Sequence, residues 1–172
     1  MWYVIQVLAG TEHQVEYQCK KMIHEGEEVF IPLIHMEKRV RGVNQQVERT
    51  LFPGYVFFDT KEVEDLFFRL KKIGTLTKIL KTGDTFTPLR EDEEELIMRL
   101  GGPDHLVEIS TGYKEGDRVV IAEGPLKGLE SLIKKINRTK RTAVLQVSLM
   151  GEEREVTLGL RVLNMEKGKD AE

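Results

Sequence analysis

The sequence predicts an α+β protein in two parts, a first domain that mixes strands with helices and a second built from short strands of a small antiparallel barrel. Three observations carry this. Apolar residues recur with period two and with the helical period in turn through the first part of the chain. Gly101-Gly102-Pro103 then breaks the last helical pattern, and no strong periodicity returns until Tyr113. After it come five short β-like pieces, evenly spaced over about fifty residues. The expected organisation is a first domain at 1–101, a linker at 102–112, a second domain at 113–165 and a flexible tail at 166–172.

Taken in order, residues 2–8 are β-prone, with Tyr3, Ile5 and Val7 on one face, and Ala9-Gly10 ends the strand. Thr11 with Gln14 has capping-box spacing, and Val15, Cys19, Met22 and Ile23 form the apolar stripe of a helix that ends near Gly26. Residues 29–34 read as a strand interrupted by Pro32, so it should lie at a sheet edge or start after the proline. A hairpin follows, with arms at 36–41 and 45–51 and a polar tip at Gly42-Val43-Asn44. Lys38, Arg39, Arg41 and Arg49 make it basic, which suits either a solvated edge protected by charge or a contact with nucleic-acid phosphates.

Residues 51–58, LFPGYVFF, are the centre of the first domain. Pro53 cannot donate to a ladder and Gly54 tolerates unusual backbone angles, so the pair is expected to bend or bulge an edge strand. Val56, Phe57 and Phe58 read as core, whereas Phe52 and Tyr55 suit either core or a partner pocket. Next come a helix at 62–73, a last strand at 76–80 and a short helix at 92–100 whose acidic first turn favours the helix dipole. The later strands are expected at 117–122, 132–136, 143–150, 153–158 and 161–163.

Composition narrows the function. No apolar run approaches the roughly 18 to 20 residues that span a bilayer, and Met1-Trp2-Tyr3 lacks the start of a secretory signal, so a cytosolic protein without membrane contact is expected. The single cysteine, Cys19, agrees with a reducing compartment and excludes an internal disulfide. The net charge of −3 hides an asymmetry: residues 113–165 carry ten Lys and Arg against seven Asp and Glu. Within them Lys134, Lys135, Arg138, Lys140 and Arg141 concentrate positive charge, as a solvated turn would or as a site for a polyanion would. The four histidines are scattered, and no zincin motif, phosphate-binding glycine loop or nucleophile elbow occurs. No enzyme activity, metal or cofactor is expected.

WYV at 2–4, LFPGYVFF at 51–58, and Gly116-Asp117-Arg118-Val119 followed by Gly124-Pro125-Leu126 together resemble the NusG family of transcription elongation factors. The resemblance covers nearly the whole chain. It implies an N-terminal NGN domain, an antiparallel sheet flanked by helices, linked to a five-stranded KOW β-barrel. It implies a monomer that docks on the clamp helices of RNA polymerase, bridges the nucleic-acid cleft and suppresses pausing. Phe52, Pro53, Gly54 and Tyr55 match the family's docking pocket, Trp2 and Tyr3 match the strand beside it, and Lys38, Arg39 and Arg41 would face upstream or non-template DNA.

Within the family the chain looks most like the specialised LoaP-type paralogues, antiterminators of certain Firmicutes gene clusters that are thought to bind an RNA hairpin in the operon leader. The implied RNA contacts are Lys127, Lys134, Lys135, Asn137, Arg138, Lys140 and Arg141. The alternative within the family is a general factor whose KOW domain binds Rho or a ribosomal protein. Leu149-Met150 departs from the aromatic usual at the position that such factors use, and Ser131 stands where the glycine of the KOW turn aligns. A free-standing RNA-binding protein of the translation machinery would have no use for LFPGYVFF. Conversion of the second domain to helices is not expected, because residues 143–158 read as strand throughout.

Overall fold

The computed structural model describes residues 1–77 and 86–164. The chain divides into two compact units, one of Met1–Pro32, Phe52–Glu95 and Leu149–Gly151, the other of Leu33–Leu51, Leu96–Ser148 and the chain from Glu152 onward.

In the first unit, strands β1 (Trp2–Gln6), β2 (Glu28–Phe30) and β5 (Tyr55–Asp59) join the two-residue β6 (Thr87–Pro88) in a sheet of order β2-β5-β1-β6. β5 is therefore an inner strand, not the bent edge that the Pro-Gly pair suggested, and Val56, Phe57 and Phe58 are wholly buried on it. Antiparallel register sets Val4 against Phe57 and Gln6 against Tyr55. β1 is buried on both faces, so its period-two pattern is weaker than the sequence suggested: Trp2 and Val4 are as enclosed as Ile5 and Val7. Pro32 falls between the end of β2 and the start of β3 (Leu33–Val40), since it has no N–H to give a ladder.

Helix α1 (Glu12–Lys20) buries Val15 and Cys19, and burial pushes the Cys19 thiol up to about 12, which keeps it protonated and inert. The expected capping box is not formed. Thr11 Oγ1 donates instead to the Leu8 carbonyl at 2.6 Å. Helix α2 (Val63–Leu70) follows β5, with Leu66 and Leu70 buried, and Arg69 Nη2 lies 2.8 Å from Glu27 Oε1. The strand expected at 76–80 is not found where it is described: Gly74–Thr77 forms a helical turn, α3, and residues 78–80 lie outside the described residues, as does the tail expected at 166–172. Helix α4 (Glu91–Gly101) carries four acidic residues in its first turn, as read.

The second unit holds the hairpin of β3 (Leu33–Val40) and β4 (Val43–Thr50). Its tip is Arg41-Gly42, with φ of 51° and 80°, the geometry of a two-residue type I′ turn, which begins one residue before the expected tip and shares Gly42 with it. Beyond α4 the stretch expected as a linker carries a 3-10 turn, β7 (Leu106–Val107) and the start of β8 (Ser110–Glu115). β7 pairs in parallel with β3, Leu33 against Leu106 and Ile34 against Val107, giving the order β4-β3-β7.

With β9 (Arg118–Glu123), β10 (Ile133–Asn137), β11 (Thr142–Leu149) and β12 (Glu152–Asn164), β8 forms a five-stranded sheet of order β10-β11-β12-β8-β9. Five strands were expected, but not these five: β8 was missed, and the last two merge in the thirteen residues of β12, which pairs in parallel with β8. Gly159 lies within that strand because space demands it, since a Cβ there would sit 2.7 Å from the His35 carbonyl oxygen and 3.1 Å from Met36 Cα. Gly159→Val is expected to cost about 2 kcal/mol, read by chemical denaturation, because both neighbours are backbone and cannot swing away. Gly124 and Gly128 occupy the positive-φ positions of the loop between β9 and β10, so Ser131, in a 3-10 turn there, meets no demand for glycine.

Candidate functional site

The LFPGYVFF stretch makes a tight turn before β5. The Tyr55 N–H donates to the Phe52 carbonyl at 3.3 Å, and Gly54 has φ of 87° behind Pro53, the signature of a type II turn. Two further bonds fix it: Val7 N–H donates to the Gly54 carbonyl at 2.8 Å, and Gly54 N–H donates to Glu12 Oε2 at 3.1 Å. Glu12 also accepts the Gly10 N–H, at 2.5 Å. Burial raises the Glu12 carboxyl, but hydrogen bonds from its own N–H, Gly54 and Gly10 outweigh this and hold it below its ordinary range. Glu12 is thus the residue that secures the turn, and no sequence motif marks it.

The expected anchor residues divide by exposure. Trp2 and Phe52 are each 5% exposed. Their rings pack with Phe30 and Phe57 in one cluster, Trp2 4.8 Å from Phe30 and Phe52 5.8 Å from Phe57 between centroids. They support the turn from beneath. Pro53 is exposed and Tyr55 half-exposed, so these two present themselves to solvent. Strand register puts Tyr55, opposite Gln6, on the face of Trp2 and Val4, whereas Tyr3, opposite Phe58, lies on the other face. Leu8, two residues beyond Gln6, is 76% exposed and extends the apolar surface next to the turn through Val7.

A second candidate lies in the second unit. A cavity of about 590 Å³ opens between the β3–β4 hairpin and the β10–β11 turn, lined on one wall by Met36, Glu37, Lys38, Arg39, Asn44, Val47 and Arg49 and on the other by Arg138, Thr139, Lys140, Arg141 and Thr142. Six cationic side chains and one carboxylate face it. The carboxylate is already engaged. Glu37, whose side chain is 8% exposed, accepts from Arg141 Nη1 at 3.0 Å and from Arg161 at 2.7 Å. The Asn44 amide, turned so that its oxygen faces Arg141, accepts from Nη2 at 3.0 Å. Arg141 has φ of 57°, and its carbonyl accepts the Leu160 N–H at 2.9 Å. It is a fixed part of the wall.

The remaining residues expected to meet nucleic acid fall into four groups. Arg138 and Lys140 are exposed at the cavity with no ion-pair partner among the described residues, and so are Lys38 and Arg39 across from them. Asn137 shapes the turn, its Oδ1 accepting the Lys140 N–H at 2.9 Å. Lys127, Lys134 and Lys135 do not line the cavity: Lys127 Nζ donates to the Ala122 carbonyl at 3.1 Å, Lys134 pairs with Glu155 at 3.0 Å, and Lys135 is exposed on β10. The Lys134 pair is open to water on both sides and holds its lysine only weakly. Arg41 is exposed at the hairpin tip, outside the cavity lining.

The expected partner position at 149–150 is split by exposure, with Met150 half-exposed and Gly151 exposed beside it. Leu149 is wholly buried, Met150 and Gly151 form a turn with φ of 56° and 78°, and Gly151 N–H donates to Glu93 Oε2 at 3.1 Å.

A secured proline-glycine turn over an aromatic cluster and a cavity walled by cationic side chains are both arrangements suited to binding. The family model described as "Transcription termination factor nusG" matches residues 1–98. Similar along nearly their full lengths are the proteins named "Transcription termination/antitermination protein NusG" from Halalkalibacterium halodurans, 25% identical with 91% of this chain and 93% of that protein covered, and from Thermus thermophilus, 25% identical with 91% and 94% covered. That of Campylobacter jejuni is 23% identical, with 91% and 92% covered. The chain belongs to the NusG family of transcription termination and antitermination factors. Among the described residues no helix is long and apolar enough to cross a membrane.

Proposed function

We propose that this protein is an operon-specific processive antiterminator of the LoaP type, which holds RNA polymerase through the turn of its first domain and a structured leader RNA through the basic turn of its second. The observation that carries the reading is the pair of exposed cations Arg138 and Lys140, unpaired among the described residues, beside an Arg141 locked in place by Glu37. Held positive charge without a local counter-ion is what a polyanion partner needs. The lack of an aromatic at Leu149-Met150 and the burial of Leu149 speak against a general factor that offers this tip to Rho or a ribosomal protein. The work is binding, and no reaction is catalysed.

For the polymerase contact, Pro53 and Tyr55 supply the exposed surface, while Gly54, Phe52 and Trp2 set its shape. The clamp helices are the expected partner. Tyr55→Ala is expected to weaken polymerase association about tenfold or more in a pull-down titration and to leave RNA binding unchanged. Loss of both together would point to unfolding. The RNA contact is tested by electrophoretic shift of the transcribed leader of the adjoining operon with the full-length chain at physiological salt. Tighter binding than to an unrelated hairpin is expected, and equal binding would leave the general-factor reading in its place.

A further inference from the structure

We propose that the cavity between the β3–β4 hairpin and the β10–β11 turn takes one unstacked nucleotide from a loop or bulge of a folded RNA. The proposal rests on the reading that the chain binds structured RNA, and it moves the hairpin from a DNA contact to the same RNA. At about 590 Å³ the cavity falls within the range of roughly 300 to 1,000 Å³ that holds a small organic group. The half-buried side chains of Met36 and Val47 give an apolar surface for a base, and Arg39, Arg49, Arg138 and Lys140 stand on both walls to meet the flanking phosphates. Glu37 adds no repulsion, since Arg141 and Arg161 both engage it.

A hollow with charge on opposite walls suits a strand that enters it, not the outside of a paired helix. In a duplex every base is stacked, and extruding one costs a few kcal/mol, whereas a bulge or loop offers a base already free. RNA is therefore favoured over duplex DNA. The two walls are also held in fixed register: β3 pairs with β7, Gly159 packs against the His35 carbonyl, and Glu37 bonds to both Arg141 and Arg161. A preset gap loses less on binding than one that must be assembled.

The test uses the full-length protein with three labelled probes, namely a short RNA duplex with one unpaired nucleotide, its fully paired counterpart and a DNA duplex of the same sequence. The bulged RNA is expected to bind about tenfold more tightly than the paired RNA. Val47→Trp, which fills the hollow, is expected to abolish that preference while leaving the salt dependence. The double variant Arg39→Glu with Arg49→Glu, at exposed positions that do not threaten the fold, is expected to weaken both RNAs and to lower the salt slope by roughly 0.7 to 0.9 per lost phosphate contact. Equal binding of bulged and paired RNA, a preference that survives Val47→Trp, RNA binding unchanged by the double variant, or tighter binding of the DNA duplex would overturn the proposal. If those results come with a leader transcript that still shifts and still depends on Arg138, the nucleotide pocket alone is lost. A leader transcript that does not bind removes the RNA reading and the pocket together.

Discussion

Reversing Lys135, Arg138 and Lys140 to Glu in the intact chain is expected to weaken leader-RNA binding about a hundredfold and to flatten its dependence on salt. All three are exposed, and none has an ion-pair partner among the described residues, so the loss falls on the partner and not on the fold. Neighbouring positions would not give so clean a result. Lys134 shares its charge with Glu155, and Arg141 is tied to Glu37 and Asn44, so its removal would leave the largely buried Glu37 with Arg161 alone and loosen the hairpin. Titration by fluorescence anisotropy at several salt concentrations, with circular dichroism to verify the fold, measures both quantities. An unchanged affinity would move the RNA site away from this turn.

Glu12→Ala is expected to cost about 3 kcal/mol of stability, since the buried Gly54 N–H loses its acceptor and the Gly10 N–H loses a charged one. It is also expected to weaken polymerase association, because the Phe52–Tyr55 turn is held in place through Gly54. The effect has a pH signature. The folded carboxyl lies below its ordinary value of 4.5, so its contribution is fully present above that value and is lost as pH falls through the lower folded value. The stability gap between the native chain and Glu12→Gln is therefore expected to be widest near neutrality and to shrink on acidification below about pH 4.5, as measured by urea unfolding across pH. A gap that does not vary with pH would mean that Glu12 acts through packing alone.

Much of the first domain was legible because its signals are local. Residues 55–59 combine a Pro-Gly boundary with a continuous apolar run, and β5 starts and stops there. Helix α4 was marked by its acidic first turn and the Gly-Gly-Pro that follows. What escaped depends on contacts between distant residues. β7 has two residues and no period of its own, and it is a strand only because β3 lies beside it. β8 and β12 pair in parallel across most of the second domain's sequence, and the strands expected at 153–158 and 161–163 are one, running through Gly159 where it approaches His35.

The same limit applied to the candidate sites. LFPGYVFF named the turn, but nothing in Glu12 announced that its carboxylate would accept the Gly54 N–H from another element. The run 134–141 named a basic cluster, yet a linear count gave Lys134 and Arg141 the same standing as Arg138 and Lys140. Only tertiary placement separates those with carboxylate partners from those without. The cavity, too, joins residues about a hundred positions apart, and neither the hairpin nor the turn hints at the other.

The central claim is that recruitment depends on a particular leader RNA. Single-round transcription in vitro by the cognate polymerase, on a template with the operon leader placed ahead of a terminator, tests it most directly. The account predicts read-through that rises with the protein only when the leader is intact, and that disappears when the leader hairpin is scrambled or when Lys135, Arg138 and Lys140 are reversed to Glu. Equal read-through with an intact and a scrambled leader, or none with either, would contradict it.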